Sequence, residues 1–213
     1  ACAPGAGVVS KGKGSGIGAK MAGGNSAAGR VPDDFYATPE DVTRALIREY
    51  PKIAKMAVWE PCAGNGMMAG ALVAGGVTRI LCTDIIQRQP VVPLPVHLSA
   101  PVDVFTVTTL PAGVDAVITN PPFMLAPKMI EHILCLDGEP PQFLALVLKA
   151  TFWHAARRYP LFQKHPPTAI HPLLWRPDFQ NLGAPTMEVM WCVWDRDEAD
   201  CEPVYVPLQQ PDR

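Results

Sequence analysis

Five short apolar runs, separated by stretches with helix signals, constrain this chain more than any other feature. They are Ala57–Cys62 (AVWEPC), Arg79–Asp84 (RILCTD), Asp115–Asn120 (DAVITN), Phe143–Lys149 (FLALVLK) and Glu188–Trp194 (EVMWCVW). Each reads as a strand. Thr38–Met56 opens like a helix, with Thr38 at the N-cap, Pro39 at the first helical position and Glu40 and Asp41 in the first turn. Thr38 to Asp41 is a near-capping box with Asp in its last place. Met67–Gly76 reads as a helix closed by two glycines, and a further helix falls near Lys128–Leu136. The proline-rich run Gln89–Pro101 reads as loop, with room for a short strand around Val96. Strand and helix in repeated alternation specify an α/β fold: a mostly parallel sheet covered by helices on both faces.

The 213 residues fit one domain with a sizeable core, residues 33–213, behind a flexible Gly/Ala-rich tail, residues 1–32. Up to Arg30 the tail carries Lys11, Lys13 and Lys20 and no acid. Charged residues make up 18% and apolar residues 48%, a globular balance. No run is long enough to span a membrane, and no stretch has the layout of a signal peptide. The cysteines show neither a CxxC pair nor His/Cys metal spacing, so the expectation is a reducing, cytoplasmic protein without a structural metal. A formal net charge of -2 argues against coating nucleic acid by bulk charge. One acid-free window stands out between Glu139 and Asp178: it holds Lys149, Arg157, Arg158, Lys164 and Arg176, with His154, His165 and His171.

In an open α/β sheet, ligands bind beyond the carboxyl ends of the strands, where strand order reverses. The first such loop, WEPCAGNG, carries Gly64 and Gly66, which let the backbone pass close to a ligand or make a tight turn. Asp84 ends the next strand, at the spacing of a ribose-binding acid in a nucleotide-binding βαβ unit. The full dinucleotide fingerprint is absent, because Gly70 stands one place too far on. Glu60 at the mouth of the turn would repel a pyrophosphate. It suits a ligand with a ribose and a positively charged end. Phe35 or Tyr36 ahead of the first helix could cover an apolar or sulfonium group.

The stretch Asn120-Pro121-Pro122-Phe123 ends the third strand. Two prolines stop a strand ladder because neither donates a hydrogen bond. The loop also has a chemical reading. The nitrogen of an exocyclic base amine is planar, with its lone pair delocalised into the ring. It becomes nucleophilic when acceptors hold both N–H groups and favour a pyramidal nitrogen. The Asn120 side-chain oxygen and the Pro121 carbonyl are two such acceptors, and proline preorganises the second. Phe123 is placed to stack on a flipped base.

The segments FYATP, EPCAGNG, TD and TNPPF together resemble the S-adenosylmethionine-dependent amino-methyltransferases, most of all the small phage-type DNA N6-adenine methyltransferases. The likeness runs from Asp33 to Trp194. It implies a Rossmann-like seven-stranded sheet with the last strand antiparallel, and S-adenosylmethionine as cofactor. Carried over by motif, Tyr36, Thr38 and Pro39 meet the methionine end of the cofactor. Glu60, Pro61, Cys62, Gly64 and Gly66 form the cofactor loop, with Glu60 facing the methionine amino group. Asp84 is the ribose acid, and Asp103 matches the residue at the adenine amine. Asn120, Pro121, Pro122 and Phe123 are the catalytic loop, and DNA is the partner. Larger relatives carry a long target-recognition domain after this loop; here 90 residues follow Phe123, so readout is expected from loops, His154–Met187 foremost. Arg157, Arg158 and Lys164 there are candidates for phosphates, and Trp175 and Arg176 for the duplex, although a packed loop around Trp175 explains LLWRPDF equally well. Similar loops serve guanine N2 in RNA and the glutamine amide in proteins, and a non-catalytic relic of the fold is a further alternative.

Overall fold

The computed structural model describes residues 36–90, 101–181, 183 and 185–212. The tail of residues 1–32, Phe35 and the expected strand around Val96 lie outside them.

Seven strands form one sheet: β1 (Ala57–Glu60), β2 (Arg79–Cys82), β3 (Ala116–Thr119), β4 (Phe143–Lys149), β5 (Ala169–Pro172), β6 (Val189–Asp195) and β7 (Val204–Tyr205), in the order β2-β1-β3-β4-β6-β5-β7. β1 to β4 run parallel. The expected antiparallel strand is β6, the last long one, which pairs with both β4 and β5. The two-residue β7 follows it and runs parallel to β5. β1 lies between β2 and β3, so strand order reverses at its carboxyl end.

Side-chain alternation along the strands divides the interior into two cores. In β4, Phe143, Ala145 and Val147 face one core, and Leu144, Leu146 and Leu148 face the other. The first core is covered by α1 (Glu40–Glu49) through Val42, Ala45 and Leu46, and by α2 (Met67–Ala74) through Met68 and Leu72. The second is covered by α3 (Ala126–Leu134) through Met129, Ile130 and Ile133. With both faces of the sheet covered, the central strands β1, β3, β4 and β6 read as largely continuous apolar runs. A short α4 (Tyr159–Lys164) follows β4.

Two local expectations are overturned. The first concerns the opening helix. It begins at Glu40 with Pro39 as the N-cap, and no side chain caps it. Thr38 turns its hydroxyl elsewhere, and Asp41 accepts from the indole of Trp175 and the amide of Gln210 instead of closing a capping box. Tertiary partners outcompete the local cap here. The helix also stops at Glu49, because Pro51 cannot continue it, and a 3-10 turn carries the chain to Lys55. The second concerns His154–Met187, which is not simply a loop: it contains α4 and β5, and Trp175 packs against the first core.

His171, on β5, is 1% exposed and held at both ring nitrogens. Its Nδ1 meets the Val206 carbonyl at 2.8 Å, and its Nε2 meets the Tyr50 hydroxyl at 2.8 Å. A carbonyl only accepts, so Nδ1 carries the proton and Tyr50 donates to Nε2. Burial and nearby acids push the Tyr50 phenol well up, so it stays a donor.

Candidate active site

The loops after β1, β2 and β3 surround one cleft at the reversal point. The β1 loop contributes Glu60, Pro61, Cys62 and Ala63. The β2 loop contributes Asp84, Ile85, Ile86 and Arg88, and the following segment Asp103 and Phe105. The β3 loop contributes Asn120 and Pro122, and the chain before α1 contributes Tyr36 and Thr38. Tyr36, Thr38, Glu60, Pro61, Cys62, Asp84, Asp103, Asn120 and Pro122 thus share one wall system, although they come from five separate stretches. Pro39, Gly64, Gly66, Pro121 and Phe123 are not on that wall. Sequence reasoning did not single out Ile85, Ile86, Phe105 or Arg88, whose apolar or mixed chemistry carries no motif.

The two loop glycines are required by conformation. Gly64 has φ 56° and Gly66 φ 80°, where a side chain would strain the backbone. The turn is pinned from β2, because the Gly64 N–H donates to Asp84 Oδ2 at 2.8 Å. The other carboxylate oxygen, Oδ1, accepts from the Ile86 N–H at 2.9 Å and faces Arg88 at 3.4 Å. Asp84 therefore shapes the glycine turn besides lining the cleft. Asp103 caps a 3-10 turn by accepting from the Phe105 N–H at 3.0 Å.

Glu60 is the unusual group. It is 2% exposed, and its Oε2 has no hydrogen-bond partner, while the Ala69 N–H donates to the carboxyl. Burial first, and then the charge of Asp84, push its pKa well above the ordinary carboxylate value. A buried acceptor without a donor is costly unless a ligand completes it. The same burial, with Asp84 beside it, pushes the Cys62 thiol up to about 12, so Cys62 is a neutral wall.

The Asn120 amide is held from below. Its Nδ2 donates to the Tyr36 carbonyl and to Thr38 Oγ1, both at 3.1 Å. Among the described residues nothing donates to Asn120 Oδ1 or to the Pro121 carbonyl. Phe123 stacks on Tyr36 with ring centroids 6.0 Å apart, and Tyr36 meets the edge of Phe179 at 6.4 Å. Lys149 Nζ lies 5.0 Å from the Phe123 ring centre.

The residues expected on the substrate are less uniform. Lys164 pairs with Glu131 at 2.9 Å and Arg176 with Glu188 at 2.6 Å. Both acids lie outside the acid-free window, which is why the window looked more basic than the surface is. Arg158 donates to the Phe152 carbonyl and stacks 4.1 Å over the Phe152 ring. The Trp175 indole is committed to Asp41 at 2.8 Å. Arg157 is exposed and has no carboxylate partner among the described residues.

No protein-family model and no curated protein sequence matches the chain. Solved structures do. A "putative RNA methyltransferase" from Pyrococcus horikoshii superposes with TM-score 0.52 at 16% identity, over 74% of this chain and 84% of that one. A modification subunit of a "putative type I restriction enzyme" from Vibrio vulnificus YJ016 gives 0.52 at 13% identity, over 86% of this chain and 49% of that one. A "putative hemolysin" from Lactococcus lactis gives 0.53 at 7% identity, over 82% and 93%. At these identities the likeness is one of fold: the chain has the seven-stranded Rossmann-like fold found in methyltransferases.

Proposed function

We propose that the chain transfers a methyl group from S-adenosylmethionine to the exocyclic N6 amine of adenine in DNA, with the base flipped onto the Asn120–Phe123 loop. The observation that carries this reading is the pairing, in one cleft, of a buried Glu60 carboxyl oxygen without a donor and the Asn120 amide oxygen, also without one among the described residues, with the Pro121 carbonyl next to it in the chain. Glu60 Oε2 fits an ammonium group, and Asn120 Oδ1 with the Pro121 carbonyl fits a planar amine.

When bound, S-adenosylmethionine supplies an electrophilic methyl on a sulfonium. Glu60 takes the amino group of its methionine end. Asp84 accepts from a ribose hydroxyl through the capacity left on Oδ2. Ile85, Ile86 and Phe105 receive the apolar adenine faces, beside Asp103. On the substrate side, Asn120 Oδ1 and the Pro121 carbonyl accept the two amine protons and draw the nitrogen out of conjugation. So held, the nitrogen lone pair would be free to attack the methyl group, the N–C bond forming as the S–C bond breaks. The surplus proton then leaves to solvent, because an alkylated ring amine is acidic by itself. Fixed acceptors cost no reorganisation at that moment, and in-line placement carries much of the rate.

DNA is favoured over other planar nitrogens by the FYATP segment, since the NPPF loop alone is shared with the alternatives. The parallel run of β1 to β4 puts the segment after β4, with Arg157, at the same end of the sheet as the cleft. Among the described cations of the acid-free window, Arg157 and Lys149 have no carboxylate partner and are placed to meet phosphates. The test incubates the protein with labelled S-adenosylmethionine and, in parallel, adenine-containing DNA, ribosomal RNA and a glutamine-bearing protein. Label on DNA adenine is expected. Label on RNA or protein alone would refute the DNA reading, and cofactor binding without transfer to any of them would refute the enzyme.

A further inference from the structure

We infer that Thr38 is a positioning residue for the catalytic amide: together with the Tyr36 carbonyl it fixes which end of Asn120 faces the substrate. The inference rests on the function proposed above and deepens it. An asparagine amide presents an acceptor at one end and two donors at the other, and a half-turn about its last bond exchanges them. Only one orientation suits an amine nucleophile. With Nδ2 turned to the cleft, donor would face donor, and the amine would lose the acceptor that activates it.

The surroundings decide the orientation. The Tyr36 carbonyl can only accept, so the group 3.1 Å from it must be the NH2. Thr38 Oγ1, also at 3.1 Å, takes the second hydrogen. Both amide hydrogens are then committed, the plane of the amide is fixed, and Oδ1 is the end left without a partner. Thr38 is 5% exposed and comes from a stretch 82 residues away, so the fold brings its hydroxyl to the amide. The same contact turns the Thr38 oxygen towards Asn120, and no side chain caps α1. Tyr36 also stacks on Phe123, so the backbone that orients the amide is tied to the ring of the same loop.

This role differs from a contact with the cofactor, and the two separate by experiment. Thr38→Val keeps the shape and removes the acceptor, and Thr38→Ser restores the acceptor. Thr38→Val is expected to lower kcat about 10-fold, the loss of one oriented hydrogen bond, with the dissociation constant for S-adenosylmethionine within three-fold of wild type. Thr38→Ser is expected to recover kcat to within three-fold. A wild-type kcat in Thr38→Val would overturn the inference, as would a cofactor affinity that falls in step with kcat. A readout independent of turnover follows the 15N side-chain amide of Asn120, assigned by its loss in Asn120→Asp. Slow hydrogen exchange in the wild type and faster exchange with a shifted proton in Thr38→Val are expected. Identical signals in the two proteins would refute the orientation. If the wild type transfers to no substrate, the proposed function fails, and the amide signals still decide whether Thr38 holds Asn120.

Discussion

Glu60→Gln separates the two roles of the buried carboxyl, because its effects on stability and on binding have opposite signs. In the free protein the carboxyl is 2% exposed, with one oxygen unpartnered and Asp84 adding repulsion. Unfolded, a glutamate titrates at about 4.3. The folded value is higher, so between the two the native state holds a proton that the unfolded chain has released. By linkage, stability falls as pH rises through that window, and below about pH 4 this group contributes no slope. The glutamine variant lacks the slope. At pH 8 it should exceed the wild type by about 1–2 kcal/mol, the cost of an unsatisfied buried acceptor with charge, which raises Tm by roughly 2–8 °C for a domain of this size. Binding responds the other way. A charge-assisted hydrogen bond to the ligand's ammonium is worth about 1.5–3 kcal/mol, so S-adenosylmethionine should bind the variant roughly 10- to 150-fold more weakly. Calorimetry in buffers of different ionisation enthalpy adds a third reading. At pH values low enough for the free carboxyl to hold its proton, binding to the wild type should release it as Glu60 ionises against the ammonium, and binding to the variant should release none. A lower Tm at pH 8 in Glu60→Gln, or unchanged affinity, would refute the reasoning.

Three further outcomes are expected. Asn120→Ala should abolish methyl transfer while cofactor affinity, by calorimetry, stays within a few-fold; wild-type turnover would disprove the loop's role. Arg157→Glu should weaken DNA binding and flatten its salt dependence, whereas Arg176→Glu should leave the salt slope nearly unchanged because Arg176 is already paired with Glu188. Tyr50→Phe removes the donor to His171 Nε2 and leaves a buried acceptor open, so Tm should drop by roughly 2–8 °C, for about 1–2 kcal/mol, with no change in cofactor affinity.

The parts of the fold visible in the sequence are those whose cause is local. FLALVLK is strand β4 residue for residue, because a strand with two covered faces stays apolar until it leaves the core, here at Lys149. The helix at Met67 ends at its glycine pair, and the turn after β1 needs positive φ at Gly64 and Gly66. What escaped detection depends on residues far along the chain. Thr38 looks like a cap until Asn120 claims its hydroxyl, and Asp41 looks like half of a capping box until Trp175 arrives from 134 residues away. AIHP, ending in proline, has no strand signature; its pairing with β6 makes it one. The basic window reads as a binding face because the acids that neutralise Lys164 and Arg176 lie just beyond its borders.

The single reversed strand sets an order of assembly. Among the described residues β5 pairs with β6 and β7, and both are synthesised after it. A chain emerging from the ribosome can close β1, β2, β3 and β4 with their helices while β5 still has no neighbour. Every residue proposed to touch the cofactor or the target amine is present by then. Their backing is not, because Phe179 and Trp175 reach Tyr36 and Asp41 from the stretch between β5 and β6. The last third of the polypeptide therefore acts as a late fastener, and a nascent chain should acquire its ligand-binding shape only once β6 has entered the sheet.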